Sequence, residues 1–102
     1  MGNPMRIRAA AAGDEVEVKV LMRHDMETGQ RKDANGNVIP AHFIQKLVGK
    51  CNDVVVLDCL MGTSVSKDPF LSFKFKGKKG DKVSISWVDN TGDTRTDETV
   101  VA

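Results

Sequence analysis

The sequence contains no apolar run approaching the ~20 residues that a membrane-spanning helix needs. Its start does not read as a secretory signal either, because Met1-Gly2-Asn3-Pro4-Met5-Arg6 leads through Ala9 to Ala12 into charged Asp14-Glu15. Arg6 occupies the position where N-myristoylation requires Ser or Thr. Taken alone these absences point to the cytosol, unless a signal-bearing partner exports the chain. Cysteine is scarce: Cys51 and Cys59 are the only two, too few for the disulfide framework of a small secreted domain. Charge of one sign is also lacking, with 15 Lys and Arg against 14 Asp and Glu, a formal net charge of +1. No global field therefore draws in nucleic acid or an anionic membrane surface.

Catalytic ingredients are equally sparse. There are two histidines, no serine in a nucleophile elbow, and no glycine-rich loop between a strand and a helix. Catalysis needs a base, a nucleophile and a group that stabilises developing charge, and no such set is recognisable. The expectation is a non-enzymatic chain with no catalytic residue, no cofactor and no resident metal.

What is present is alternation. Leu71, Phe73 and Phe75 alternate with Ser72, Lys74 and Lys76, and Val83, Ile85 and Trp87 alternate with Ser84, Ser86 and Val88, the period of half-buried strands. The turn-rich Gly77 to Asp81 between them predicts that the two runs pair as a hairpin. Val16, Val18, Val20 and Met22 mark another strand. His42 to Val48 and Val54 to Leu60 flank an Asn52-Asp53 turn and predict a second hairpin, with Cys59 opposite Lys46. Short strands at Arg6 to Ala9 and Thr94 to Val101 bring the count to about seven, the spacing of an immunoglobulin-like antiparallel β-sandwich. At 102 residues with 40% apolar and 28% charged side chains, one globular domain is expected. It would span residues 6–102 behind an N-terminal tail of residues 1–5. A long polar linker, His24 to Pro40, holds an Asn35-Gly36 tight turn, and loops of this length tend to carry function.

Three constellations have residue types that could carry chemistry. Strand spacing holds the two cysteines too far apart for an internal disulfide. Cys59 then packs as a small hydrophobe, and Cys51, flanking a turn and expected to be exposed, is left for an intermolecular disulfide; the alternative is a free-standing sulfur-carrier or redox protein that uses Cys51 or Cys59. Met22, His24, Met26, His42, Cys51, Cys59 and Met61 have the donor types for copper, but no histidine follows Cys59 as the loop of a blue-copper site requires. The plainer reading puts Met22 in the core and His24 and Met26 in a surface loop. The lysines of Lys74 to Lys82 read as a solvated face that also protects a sheet edge.

Several segments together carry a resemblance: Met22-Arg23-His24-Asp25-Met26-Glu27-Thr28-Gly29, Ile39-Pro40-Ala41-His42-Phe43-Ile44, Pro69-Phe70-Leu71-Ser72-Phe73-Lys74-Phe75-Lys76-Gly77 and Trp87-Val88-Asp89-Asn90-Thr91-Gly92-Asp93-Thr94-Arg95. In order and spacing the chain resembles the SoxZ family, the non-carrier subunits of the SoxYZ complex of bacterial thiosulfate oxidation. The resemblance implies a periplasmic heterodimer with SoxY, co-exported with that signal-bearing partner, whose cysteine arm carries sulfur intermediates among the Sox enzymes. It departs from the family pattern at Asp25, which replaces a proline, at Met61-Gly62, which replaces Trp-Gly, and at Asp68-Pro69-Phe70, which replaces Asn-Pro-Tyr. His24, Met26, Glu27, Met61 and Phe70 are the expected partner contacts.

Overall fold

The computed structural model describes residues 3–102. Seven strands follow in order: β1 (Arg6–Ala12), β2 (Glu15–Leu21), β3 (Ile44–Cys51), β4 (Val54–Leu60), β5 (Phe70–Lys76), β6 (Lys82–Asp89) and β7 (Thr94–Val100). They form two antiparallel sheets, β1-β2-β5 and β4-β3-β6-β7. The architecture is an immunoglobulin-like sandwich, and the period-two pattern explains it. Val16, Val18 and Val20 of β2 and Val83, Ile85 and Trp87 of β6 are all at most 1% exposed, so the two central strands meet face to face and exclude water between them.

Two pairings differ from the expectation, and each has a physical cause. β5 and β6 are not a hairpin: β5 pairs with β2, and β6 pairs with β3 in the other sheet. Alternation shows that each strand has one apolar face, and two such faces can oppose one another across a core as readily as they can lie side by side. Gly77 to Asp81 is therefore a crossover. It is held by Gly77 N–H to the Asp14 carbonyl and by Asp81, whose carboxylate accepts from Lys78 N–H.

The β3–β4 hairpin does turn at Asn52-Asp53, both left-handed at φ 49° and 68°, the geometry that suits strand twist. However, a bulge between Gly49 and Lys50 shifts the register by one, so Cys59 faces Leu47 and Leu60 faces Lys46. One extra residue turns every later side chain to the other face. The shift places Cys59 against the core and exposes Leu60 at 82%. Gly49 suits tight packing: a Cβ there would lie 3.3 Å from Ile85, Leu57 and Phe73, whose side chains would have to give way by a few tenths of an ångström. Its bare backbone lets Phe73 of one sheet approach the other.

The sheet edges are treated unequally. β1 is covered in part by the C-terminus, since Ala11 N–H donates to the Ala102 carbonyl and Ala102 N–H to that of Ala9. β5 carries Lys74 and Lys76, and β7 carries Arg95, Asp97 and Glu98. β4, Val-Val-Val-Leu-Asp-Cys-Leu, has one charge, Asp58, and exposes Val54, Val55 and Leu60.

Candidate functional site

The long segment between β2 and β3 has little regular structure, yet its backbone is pinned along its length. Met22 N–H donates to the Pro69 carbonyl, Asp68 N–H to that of His24, and Glu27 and His42 exchange both backbone hydrogen bonds. The Asn35-Gly36 turn forms as expected, with Gly36 at φ 82° and the Asp33 carboxylate accepting from Asn35 and Asn37 N–H. The segment docks onto the β6–β7 turn. Asn90 does much of this, because its side-chain oxygen accepts from Phe43 N–H and its amide donates to the Ala41 carbonyl, each at 2.8 Å.

At the centre lies a buried polar cluster. His24 Nε2 is 3.0 Å and His42 Nε2 2.9 Å from the same oxygen, Oδ2 of Asp89. The other oxygen, Oδ1, accepts from Thr91 N–H, the Thr91 hydroxyl and Asp93 N–H. Asp89 is 1% exposed and His24 6%. Burial is the largest single influence on the Asp89 carboxyl and pushes it up, but the hydrogen bonds from Thr91, His24 and His42 together outweigh it. They hold the group well below the usual carboxylate range. The cluster is thus a buried anion met by five donors. The His24 ring also stands edge-on to Trp87, centroids 5.1 Å apart, which ties the loop to the apolar core.

Among the described residues these three side chains are the one group with ligand atoms close enough to hold a cation, all within 4.8 Å. Protonation argues against that use. Met26 N–H donates to His24 Nδ1 at 3.1 Å, so Nδ1 carries a lone pair and Nε2 carries the ring proton that Asp89 accepts. A metal on Nε2 would require the proton on Nδ1, facing another N–H. Of the remaining copper candidates Met26 lies beside His24, but neither cysteine converges here: Cys51 sits at the far end of β3 opposite Val83 and Val54, and Cys59 faces Leu47. The chemistry the cluster performs is hydrogen bonding that locks the loop to the sandwich.

Several proposed contact residues are placed differently from a surface loop. Met26 is 5% exposed. Its φ of 51° is uncommon for a residue with a side chain, and the conformation is held by its N–H to His24 and by its sulfur, which accepts from Ile44 N–H. His24 and Met26 therefore stabilise the loop from within and offer almost no surface to a partner. Glu27 pairs with Arg31 through both carboxylate oxygens, which draws its carboxyl down. The two, with Asp25 and Lys67, rim an open depression of about 510 Å³. Met61 packs partly against the core, and Phe70 is 63% exposed.

Cys51 is also a correction. It is 9% exposed, and burial first, then the adjacent Asp81 charge and hydrogen bond, push its thiol up. A thiol held protonated and covered suits neither an intermolecular disulfide nor a nucleophile. Sequence reasoning missed Asp89 and Asn90. An Asp followed by Thr at the second position and Gly at the third is a turn signature, but nothing local announces partners 47 and 65 residues away.

Comparison with known proteins adds the decisive observation. The family model "Sulphur oxidation protein SoxZ" matches residues 5–100. The chain belongs to the SoxZ family. Its place is therefore in sulfur oxidation, in a family of subunits of the SoxYZ carrier complex. Among solved structures, a superoxide reductase (neelaredoxin) variant from Archaeoglobus fulgidus in its reduced form superposes with a TM-score of 0.60. That match has 22% identity over 99% of this chain and 90% of the other. At that identity the likeness concerns the fold alone. No curated protein matches in sequence. Three of the segments that carry the resemblance supply the cluster: His24 from the first, His42 from the second, and Asp89, Thr91 and Asp93 from the last.

Proposed function

We propose that this SoxZ-family chain is the non-catalytic subunit that binds SoxY and supports it, while the SoxY cysteine arm carries the sulfur intermediates of thiosulfate oxidation. The observation that carries the reading is the unprotected β4 edge. Natural sheets blunt their edges with charge or cover because an exposed, apolar, unpaired strand adds further chains. Here three edges are covered or charged while β4 presents Val54, Val55 and Leu60 to solvent. An edge of this kind suits a partner strand that supplies the missing ladder and covers the apolar side chains. The locked loop fits the same role, since a preorganised surface loses less entropy on association. Cys51 lies in a setting that disfavours a thiolate, buried beside a carboxylate, and Cys59 is partly buried and packed against the core. The heterodimer works in the periplasm, reached together with the partner.

Light scattering on an equimolar mixture with SoxY tests this. The expected result is a one-to-one complex, weakened about tenfold or more by Val55→Lys or Leu60→Lys, with the circular dichroism of each variant unchanged. Separate monomers of the wild-type proteins would overturn the reading.

A further inference from the structure

The outer face of the β1-β2-β5 sheet is sorted by charge along its length. The register gives four successive rungs: Arg6-Leu21-Phe70, Arg8-Lys19-Ser72, Ala10-Glu17-Lys74 and Ala12-Glu15-Lys76. In the last two, a glutamate sits beside a lysine and the charges cancel locally. The first two hold three cations and no carboxylate. Among the described residues their one ion pair is the long Lys19–Glu17 contact at 3.9 Å, between side chains about half exposed, which contributes little. Arg23 adds a fourth cation beside Arg6 in an adjoining hollow with Pro4 and Met5. On a chain of net charge +1, this is a concentrated local field. Its floor is apolar: Arg6, Arg8 and Lys19 line a groove of about 220 Å³ together with Leu21 and Phe70, and Phe70 is 63% exposed.

We infer that this groove docks a short acidic segment of another protein, with carboxylates on the arginines and lysine and an apolar side chain over Phe70 and Leu21. Arginine forks pair with carboxylates in a bidentate manner, and an aromatic in a cationic rim is a common anchor. The charge pattern also limits the length of the occupant. On the next rungs Glu17 and Glu15 are neutralised by Lys74 and Lys76, so an anion that continues along the face finds no net attraction there; a few residues are held and an extended polyanion such as nucleic acid gains nothing from its length. The site lies on a different sheet from the β4 edge and stands independently of it.

The test is an amide-resolved NMR titration of the full chain with acetyl-Asp-Glu-Leu-Asp-Glu-amide, and separately with its charge-reversed counterpart and with octathymidylate. The expected result is saturable shifts with the acidic peptide alone, centred on Arg6, Arg8, Lys19, Leu21 and Phe70. Binding weakens several-fold between about 50 and about 250 mM salt. Arg8→Glu with Lys19→Glu abolishes it while the remaining spectrum stays folded, and Phe70→Ser weakens it but keeps the salt dependence. Absence of shifts, equal binding by the double charge variant, or tighter binding of octathymidylate would each overturn the inference.

Discussion

Replacing Asp89 by alanine should be among the most damaging single changes to this fold. The carboxylate accepts five hydrogen bonds, from Thr91 N–H, the Thr91 hydroxyl, Asp93 N–H, His24 Nε2 and His42 Nε2. His42 is partly exposed and water can replace its partner, but the His24 side chain is only 3% exposed. An orphaned buried donor costs about 1–3 kcal/mol, and removing one partner of a buried charged network about 3–5 kcal/mol. A loss of about 3–5 kcal/mol is expected against a total of about 5–15 kcal/mol, which lowers the midpoint of thermal unfolding by about 15–30 °C. Asp89→Asn keeps one carbonyl oxygen but sets an amide N–H₂ against either His24 N–H or the turn amides, so it should cost about 2 kcal/mol. The two variants also separate in their pH dependence. Because the folded-state carboxyl is held below its unfolded value of about 3.9, its contribution is fully present above that pH and is lost as the pH falls further towards the folded value. Urea titrations from pH 7 down to about 2.5 should show wild-type stability falling below about pH 4, with a shallower fall in Asp89→Asn. An Asp89→Ala protein within 1 kcal/mol of wild type, or an unchanged acid limb in Asp89→Asn, would refute the reasoning.

Three further outcomes are expected. Gly49→Ala should destabilise by about 1–3 kcal/mol in urea unfolding, because a methyl 3.3 Å from Ile85, Leu57 and Phe73 overpacks the sheet interface; a neutral result would mean that the sheets can slide apart at no cost. Cys51 should react with an aromatic disulfide reagent far more slowly in the native chain than in denaturant, given its burial and raised thiol pKa. Mass mapping of the labelled site reads this directly, and native labelling at the rate of a free thiol would contradict it. Trp87→Phe should cost only about 1–2 kcal/mol, less than the usual penalty for truncating a buried tryptophan. The indole N–H has no hydrogen-bond partner among the described residues, so its loss partly offsets the lost volume, and a cost above 4 kcal/mol would indicate a partner for that N–H.

The strands were legible in the sequence because their signal is local. Val16-Val18-Val20, Leu71-Phe73-Phe75 and Val83-Ile85-Trp87 each state their own period and buried face. Pairing was less legible, because alternation carries no information about which strand lies alongside. The β5–β6 crossover and the bulge at Gly49 depend on contacts between distant segments, and the bulge alone exchanged the environments of Cys59 and Leu60. The functional loop showed the same division. Its Asn35-Gly36 turn was readable, whereas His24 and Met26 read as surface residues until Asp89, on another element, gave them a buried partner. Polarity in a loop implies exposure only when no distant group satisfies it.

The proposed role is that of a subunit that holds a sulfur carrier and carries no sulfur itself. Intact-mass spectrometry of the SoxY complex after incubation with thiosulfate and the Sox oxidising enzymes tests it most directly. A sulfur-containing mass increase is expected on SoxY, with this chain at its unmodified mass. An adduct on this chain, mapped to Cys51 or Cys59, would contradict it.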